Sequence, residues 1–220
     1  MMQSFWQDAV DFMPILLQGL RLTIVVTLGS LALSTLLGLV WALMRVSGVI
    51  VLELAAKGVI NTIRGIPIIV QLFYIYFVLP DLGITLSALE AAIIGLGIAY
   101  SAYQAENFRA GIEAIDYGQV EAAQSLGMSW GLMMRRVILP QAVKIVLPPY
   151  GNIMIMMLKD SSQASTITVA ELALKGQMIA SSTFKNLNVF TLVAALYLSM
   201  SIPLILFVGW LERRFGQGRR

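Results

Sequence analysis

The stretch LTIVVTLGSLALSTLLGLVWALM, residues 22–44, carries no charged side chain and is followed directly by Arg45. A bilayer hydrocarbon core about 30 Å thick is crossed by roughly 20 mostly apolar residues in a helix, so this stretch predicts a transmembrane helix. The rest of the chain has the same character, since 58% of its 220 residues are hydrophobic, 12% are charged and the mean hydropathy is +0.82. We therefore predict an all-α integral membrane protein.

Four more stretches predict membrane spans, although two of them contain residues that disfavour an uninterrupted helix. The second span is stopped by Pro80, and the fourth contains Pro140, Pro148 and Pro149. The third is rich in Gly and Ala, which favours close packing between helices in lipid. A single domain, residues 1–220, thus holds about five spans, with predicted limits 22–44, 59–79, 86–103, 137–158 and 187–211.

The distribution of Lys and Arg predicts the orientation of these spans. Cytoplasmic loops of membrane proteins carry an excess of basic residues. With the N-terminus outside and the C-terminus inside, the basic residues in inside loops are Arg45, Lys57, Arg109, Arg135, Arg136, Arg213, Arg214, Arg219 and Arg220. The outside loops then hold only Arg21, Lys159, Lys175 and Lys185. We therefore predict an N-out, C-in topology.

The composition also excludes several kinds of catalytic site. The chain has no cysteine and no histidine, so thiolate or imidazole metal sites, disulfides and Ser-His triads are all excluded. No GxxxxGK[ST] stretch is present, and such a loop is what cradles nucleotide phosphates in P-loop ATPases. We predict no catalytic residue, metal or cofactor on this chain. Its basic pI, about 9.3, fits membrane topology, so we expect lipid contacts and no nucleic-acid partner.

The stretch EAAQSLGMSWGLMMRRVILP, residues 121–140, differs from the spans because it is short and amphipathic. Asp116 followed by Gln119 resembles an N-terminal capping box, and Gly127 can end a helix in the left-handed conformation. The pattern predicts helix, sharp bend, helix over about residues 116–136, which we call the knob. In the predicted topology the knob faces the cytoplasm, where it would transmit force to or from a partner. The simpler interpretation is a connector lying on the membrane surface.

The knob resembles the coupling motif of ABC-importer permeases, which reads EAA, three residues, Gly, nine residues, Ile, one residue, Leu-Pro. The positions in register are Glu121, Ala122, Ala123, Gly127, Leu139 and Pro140. Val137 stands at the isoleucine position and keeps its apolar character. The resemblance implies that the knob docks in a cleft of a cytoplasmic ATPase subunit.

Three other stretches are similar to the polar amino acid uptake permeases, five-span proteins that import histidine, arginine, glutamine, glutamate, cystine or opines. They are NTIRGIPIIVQLFYIYFVLP (61–80), YSAYQAENFRAGI (100–112) and LKDSSQAS (158–165). The resemblance covers about residues 14–215. Gln163 and Ser161 depart from the leucine and threonine common in that family, so the resemblance does not specify the substrate.

This resemblance implies a bacterial inner-membrane location and a set of partner proteins. The expected partners are a dimeric cytoplasmic subunit that binds ATP and Mg²⁺, a second permease copy or a paralogous permease, and an extracytoplasmic amino acid binding protein. The spans alone also permit an ion-coupled carrier or channel. A further alternative is a membrane scaffold that recruits an ATPase without transporting anything.

Charged residues within or beside membrane spans are costly, so they often mark a pathway or a partner. The Asp160 carboxylate is a candidate for the substrate ammonium group, with Ser161 and Ser162 as donors and Asn152 two turns earlier on a similar face. The alternative for Asp160 is an ion pair at the outer boundary. Arg64 could bind a substrate carboxylate bidentately, or it could hold a lipid phosphate or a helix C-terminus.

Two further groups fit structural roles better. Glu106 and Arg109 are three residues apart on one helix, so they can pair with each other and brace the knob. Four tyrosines could line a polar pathway, but aromatic residues near span ends are more typical of an aromatic belt at the membrane interface. They are Tyr74, Tyr76, Tyr100 and Tyr103.

Overall fold

The structure is a computed structural model that describes residues 2–215, with side chains from Phe5 onward. Within these limits the regular secondary structure is helical and no β-strand is present, in agreement with the all-α prediction. Arg219 and Arg220, which entered the orientation prediction, lie outside the described residues. The α-helices of the described part are α1 Met2–Arg45, α2 Ile50–Gly65, α3 Ile68–Phe73, α4 Ala88–Glu113, α5 Tyr117–Ser125, α6 Trp130–Met133, α7 Leu139–Asp160, α8 Leu172–Thr183 and α9 Asn186–Phe215.

Helix α1 is much longer than the predicted first span, because it begins at Met2 and not near residue 22. Its added N-terminal part packs on α8 and on the first half of α9 through an apolar cluster that includes Leu16, Leu172 and Val189. The buried Asp8 carboxylate accepts hydrogen bonds from Lys185 and Asn188 at the start of this face. These tertiary contacts extend the helix through a region whose polar residues had interrupted the apolar pattern.

The second predicted span, 59–79, is not one helix. Helix α2 ends at Gly65, and the segment from α3 through a π-turn (Tyr74–Val78) and a 3₁₀ turn (Leu79–Leu82) is bent from it by 98°. Pro67 is the physical cause, because a residue before proline is driven out of the helical region, and Ile66 is extended at φ −108° and ψ 129°. The Gln71 amide donates to the carbonyls of Ile63 and Ile66, at 2.9 and 2.8 Å, and so closes the break.

The third predicted span is a longer helix than the sequence indicated, whereas the fourth has the predicted length and is shifted by two residues. Helix α4 starts with a capping box between Ser87 and Glu90 and continues well past residue 103 to Glu113. Helix α7 runs without interruption through Pro148 and Pro149, which the prediction had treated as a break. Helix α8, between the fourth and fifth spans, was not predicted at all.

Helix α4 lies at the centre of the packing and contacts α1, α2, α3 and α7. Small residues permit this close approach: a Cβ added at Gly38 of α1 would lie 2.6 Å from the Cβ of Gln104 on α4. By length and composition, two helices of the described part are apolar enough to cross a membrane, Phe5–Arg45 and Asn186–Phe215, and the bent α2–α3 pair makes a third. The count of five spans stays a prediction.

The buried side chain of Glu171 connects helices α1, α8 and α9. Glu171 caps α8 by accepting from the backbone N–H groups of Ala173 and Leu174, both at 2.9 Å. It also accepts from the hydroxyls of Tyr197 on α9, at 2.8 Å, and of Thr23 on α1, at 3.3 Å. Because Glu171 is fully buried, these donors are what make its position tolerable.

Candidate functional site

A row of four side chains connects the two candidate charges that the sequence had singled out separately. The Tyr100 hydroxyl donates to the Asp160 carboxylate at 2.7 Å. The ring centroids of Tyr100 and Tyr103 are 5.8 Å apart. The guanidinium carbon of Arg64 lies 5.6 Å from the centre of the Tyr103 ring. We call Arg64, Tyr103, Tyr100 and Asp160 the polar row.

The fold places each member of the polar row at a helix end or along the central helix. Arg64 lies in the last turn of α2, directly before the Pro67 break, and Asp160 is the last residue of α7. Tyr100 and Tyr103 are three residues apart on α4, so they share one face. Tyr100 is only 1% exposed, whereas Arg64 and Tyr103 are exposed and Asp160 is half-buried. The row therefore runs from a fixed interior to an accessible surface.

The two ends of the polar row carry opposite charges that the described residues leave without an ion pair. An arginine fork suits a carboxylate, and a carboxylate suits an ammonium group. The aromatic rings between them supply apolar walls and, at Tyr103, a face that attracts a cation. The polar row thus offers one partner for an anionic group and another for a cationic group.

The other substrate candidates do not join the polar row. Ser161 is fully buried and its hydroxyl donates to the Leu158 carbonyl at 2.7 Å. The Ser162 hydroxyl donates to the Lys159 carbonyl at 2.7 Å. Both hydroxyl protons are thus engaged by the preceding helical turn. The Asn152 amide instead lies 3.4 Å from the Glu212 carboxylate on α9.

Sequence reasoning gave Tyr100 and Tyr103 as residues that could line a polar pathway but favoured an interface belt, and it overlooked their shared face with the candidate charges. It also missed a contact beside the row, in which the hydroxyls of Tyr76 and Thr168 lie 3.4 Å apart. Thr168 ends the 3₁₀ segment Ser161–Ile167 in the left-handed conformation, at φ 69°. The spacing of the two α4 tyrosines was the signal that could have revealed the row.

Glu106 and Arg109 form the pair that their spacing predicted. Arg109 approaches the Glu106 carboxylate at 2.7 Å, and it also pairs with Glu113 one turn further on. All three lie on the last turns of α4, directly before the knob. Their mutual charge compensation makes them poor candidates for contact with a substrate.

The knob consists of α5, a bend at Gly127 and the short α6. Gly127 has φ +72°, a left-handed conformation that disfavours any residue with a Cβ. The backbone N–H of Gly127 donates to Gln124 at 2.8 Å and that of Met128 to Ala123 at 3.1 Å, which is a Schellman motif. The predicted capping box is not formed: the Asp116 side chain accepts from Gly118, at 2.7 Å, and not from Gln119.

A small apolar core fixes the angle between the two helices of the knob. Ala123, Met133, Met134 and Ile138 are buried in it, with Met128 packed against them. The residues on the opposite side are exposed, and they include Glu121, Ala122 and Gly127 of the motif together with Tyr117, Leu126 and Trp130. The knob thus presents an apolar surface with a fixed shape.

The knob is joined to the polar row by one continuous helical path. Helix α6 leads into a π-turn at Met134–Ile138, and α7 begins with Leu139 and Pro140 without leaving helical geometry. Pro140 falls in the first turn of α7. The path ends at Asp160, which is itself a member of the row. π-turns inside helices are frequent at functional sites.

Residues 12–217 match a family described as binding-protein-dependent transport system inner membrane component. The probable amino-acid ABC transporter permease protein YckA of Bacillus subtilis (strain 168) is 37% identical, over 94% of this chain and 92% of the relative. The L-cystine transport system permease protein TcyB of the same organism is 37% identical, over 96% of this chain and 88% of the relative.

Solved structures give a matching result. A chain from the crystal structure of an amino acid ABC transporter with histidines is 39% identical and superposes with a TM-score of 0.88, covering 94% of this chain and 97% of that one. A chain of the inward-facing MetNI methionine ABC transporter has a TM-score of 0.76 at 22% identity, covering 92% of this chain and 97% of that one. The second likeness concerns the fold alone.

Proposed function

The chain belongs to the binding-protein-dependent transport system inner membrane component family, and on that premise we propose that it is the permease subunit of an ATP-driven importer for polar amino acids. The chain is a transport subunit and not an enzyme, because ATP hydrolysis in this family belongs to a separate subunit. The polar row is the observation that carries the substrate class. A free α-amino acid carries one carboxylate and one ammonium group, which are the groups that Arg64 and Asp160 would bind.

In the proposed mode of binding, each member of the polar row has a distinct task. Arg64 holds the substrate carboxylate, and Asp160 accepts hydrogen bonds from its ammonium group. The Tyr100 hydroxyl fixes the Asp160 carboxylate from the buried side, at 2.7 Å. Tyr103 lies against Arg64 and limits the directions in which the guanidinium can point. The substrate side chain extends away from the row, where Gln163 and its neighbours would select among amino acids.

The proposed topology has five spans with the N-terminus outside and the C-terminus inside. The spans are α1, the bent α2–α3 pair, α4, the α6–α7 path and α9. This arrangement places the knob in the cytoplasm and the 3₁₀ segment after Asp160 toward the outside. It also leaves α8 and the Glu171 cap on the outer side, where a binding protein would deliver the substrate.

The proposed assembly pairs this chain with a second permease, either another copy or a paralogue, because five helices are few to enclose a pathway. A dimeric cytoplasmic subunit binds ATP and Mg²⁺, and this chain itself holds no cofactor. The exposed side of the knob, with Glu121, Ala122 and Gly127, docks on that subunit. Closure of the ATPase dimer then moves the knob, and the α6–α7 path carries the motion to Asp160 as the pathway alternates between its outward and inward openings.

The decisive experiment is affinity purification of the chain from its native membranes in mild detergent, followed by reconstitution of whatever co-purifies into vesicles. We expect a stoichiometric P-loop ATPase and ATP-dependent uptake of a polar amino acid from a labelled panel. Asp160→Asn should reduce uptake strongly, whereas Asp81→Asn, at an exposed aspartate in the 3₁₀ turn Leu79–Leu82, should not.

Two outcomes would replace this proposal with a different function. Uptake driven by an imposed ion gradient, without any ATPase, would make the chain a secondary carrier or channel. A stable ATPase complex that transports none of the amino acids would make it a scaffold.

A further inference from the structure

A groove between α1, α4 and α7 lies apart from the polar row. It has a volume of about 230 Å³. We call it the inner groove and define it by six apolar residues: Leu39, Phe108, Ile112, Leu139, Val143 and Leu147. At one end the hydroxyls of Thr35 and Tyr150 lie 3.0 Å apart and satisfy each other. The groove therefore offers a ligand apolar contact almost exclusively.

On α4, the residues of the inner groove lie on a different side of the helix from Tyr103 and roughly 80–120° from Tyr100. Residues follow one another by about 100° around a helix, so Ile112 lies roughly 180° from Tyr103 on α4. Phe108 lies roughly 140° from Tyr103 by the same reckoning. The groove therefore lies outside the face that Tyr103 occupies, and Leu39, Leu139 and Val143 in its lining are exposed, as contact with lipid requires.

The depth of the inner groove corresponds to one leaflet of a bilayer. From Leu139 to Tyr150, α7 rises about 16 Å at 1.5 Å per residue, against a hydrocarbon core of about 30 Å. Leu139 marks the end next to the knob, and Tyr150 marks the opposite end. In the proposed topology the knob is cytoplasmic, so the groove spans the cytoplasmic leaflet.

Two arginines lie directly before the knob-side end of the inner groove. Arg135 and Arg136 occupy the π-turn directly before Leu139, and both are exposed. Within the described residues neither of them forms an ion pair. The acidic residue nearest in sequence to the α4 wall, Glu113, is already paired with Arg109. This end of the groove is thus positively charged.

We propose that the inner groove binds one acyl chain of an anionic phospholipid from the cytoplasmic leaflet, with Arg135 and Arg136 holding its phosphate. Arginine binds phosphate bidentately, and basic pockets at this depth of a membrane select anionic headgroups. The bound lipid contacts α1, α4 and the junction between knob and α7 at once. It therefore stabilises the arrangement of those elements that is seen here.

This inference uses the orientation given under the proposed function, but its test needs neither ATPase nor substrate. The purified chain is reconstituted in nanodiscs that mix phosphatidylglycerol with phosphatidylcholine, then transferred to detergent for native mass spectrometry of retained lipid. We expect one retained lipid per chain, with phosphatidylglycerol preferred. Failure of transport would leave this readout unaffected, so the two proposals can fail separately.

Two matched pairs of variants test the two halves of the site. Val143→Trp fills the groove from a residue that is 51% exposed, and Ile145→Trp is its control, 41% exposed on the same helix but outside the lining. Only Val143→Trp should lose the lipid. The double variant Arg135→Gln/Arg136→Gln should reduce the preference for phosphatidylglycerol by about tenfold or more. Arg213→Gln/Arg214→Gln, at an exposed basic pair in the last turn of α9, should leave that preference unchanged.

Three results would overturn the proposal. The first is a wild-type chain that retains no lipid, and the second is equal retention by the two tryptophan variants. The third concerns a second copy of the chain as the occupant. Because the chain has no cysteine, Val143→Cys introduces a unique thiol. Efficient disulfide-linked dimers of that variant in native membranes would place another permease, and not a lipid, against the groove.

Discussion

Replacing Gly127 by alanine tests whether the conformation of the knob is what couples it to a partner. Gly127 has φ +72°, and a Cβ added there meets no atom within 4 Å. The substitution therefore adds no clash, and its effect is the left-handed backbone penalty of roughly 1–2 kcal/mol for a residue with a Cβ. Because 1.4 kcal/mol is a factor of ten, the Schellman bend should lose population by about 5- to 30-fold relative to opened forms.

Gly131 provides a matched control in the same knob. A Cβ added at Gly131 also meets nothing within 4 Å, but its φ is not left-handed and it lies inside α6. Gly131→Ala should therefore stabilise the knob slightly, by about 0.5–1 kcal/mol. Both variants add one methyl group to a glycine of the knob, and we expect them to change the stability of the knob in opposite directions.

The assay combines amide hydrogen exchange with ATP-driven uptake by the reconstituted complex. In Gly127→Ala, exchange at the amides of residues 127 and 128 should accelerate by the same 5- to 30-fold, and uptake should fall at unchanged expression. Gly131→Ala should do neither. If the two variants matched wild type in uptake while exchange differed as expected, the bend would not be needed for coupling and the assignment would be wrong.

Three further substitutions probe other parts of the structure. Tyr100→Phe removes a hydrogen bond to a charged acceptor, worth about 1.5–3 kcal/mol, so the KM for uptake should rise by roughly tenfold. The control Tyr103→Phe keeps the aromatic ring and should change the KM little. Equal effects of the two variants would contradict the role given to the polar row. Gly38→Ala should lower the free energy of unfolding by about 1–3 kcal/mol, because its Cβ would clash with α4. Gly58→Ala, in open space on α2, should raise the free energy of unfolding slightly. Thermal unfolding of both variants in detergent tests the difference. Burial raises the pKa of Glu171 above its ordinary 4.5. Its contribution to the free energy of unfolding is therefore full below pH 4.5 and is lost as the pH rises through the raised pKa. Glu171→Gln should abolish the resulting slope of melting temperature against pH.

The sequence predicted those features of the fold that depend on local physics. Apolar runs identified the long helices, and Gly127 identified the bend of the knob, because a missing side chain has a direct conformational meaning. Pro67 was visible in the sequence too, but the apolar run across it outweighed it in the prediction. Helix α8 escaped notice because it is short and mixes polar with apolar residues, so its place depends on contact with α1 and α9.

The polar row shows why the site was harder to predict than the fold. Its two charges were both identified from the rule that charges near spans are costly. Their connection runs through Tyr100, which is 60 residues from Asp160 in sequence and bonded to it in space. The direction of the Ser161 hydroxyl, which donates to the Leu158 carbonyl of its own helix, is likewise not visible in the sequence. Side-chain direction at a helix end is set by tertiary packing, which one sequence does not reveal.

In the proposed importer, the helical path from Trp130 to Asp160 would act as a lever arm, with the ATPase at one end and the substrate at the other. Its length is about 45 Å at 1.5 Å per residue, so a tilt of about 5° at the knob displaces the far end by about 4 Å. That displacement is larger than the 2.7 Å that separates the Tyr100 hydroxyl from Asp160. A displacement of that size is large enough to break this hydrogen bond, and it would also shift Met157 and Leu158, which are buried on α7 beside Asp160. In the proposed importer, the tilt that the ATPase imposes on the knob would therefore also set how strongly the substrate is bound.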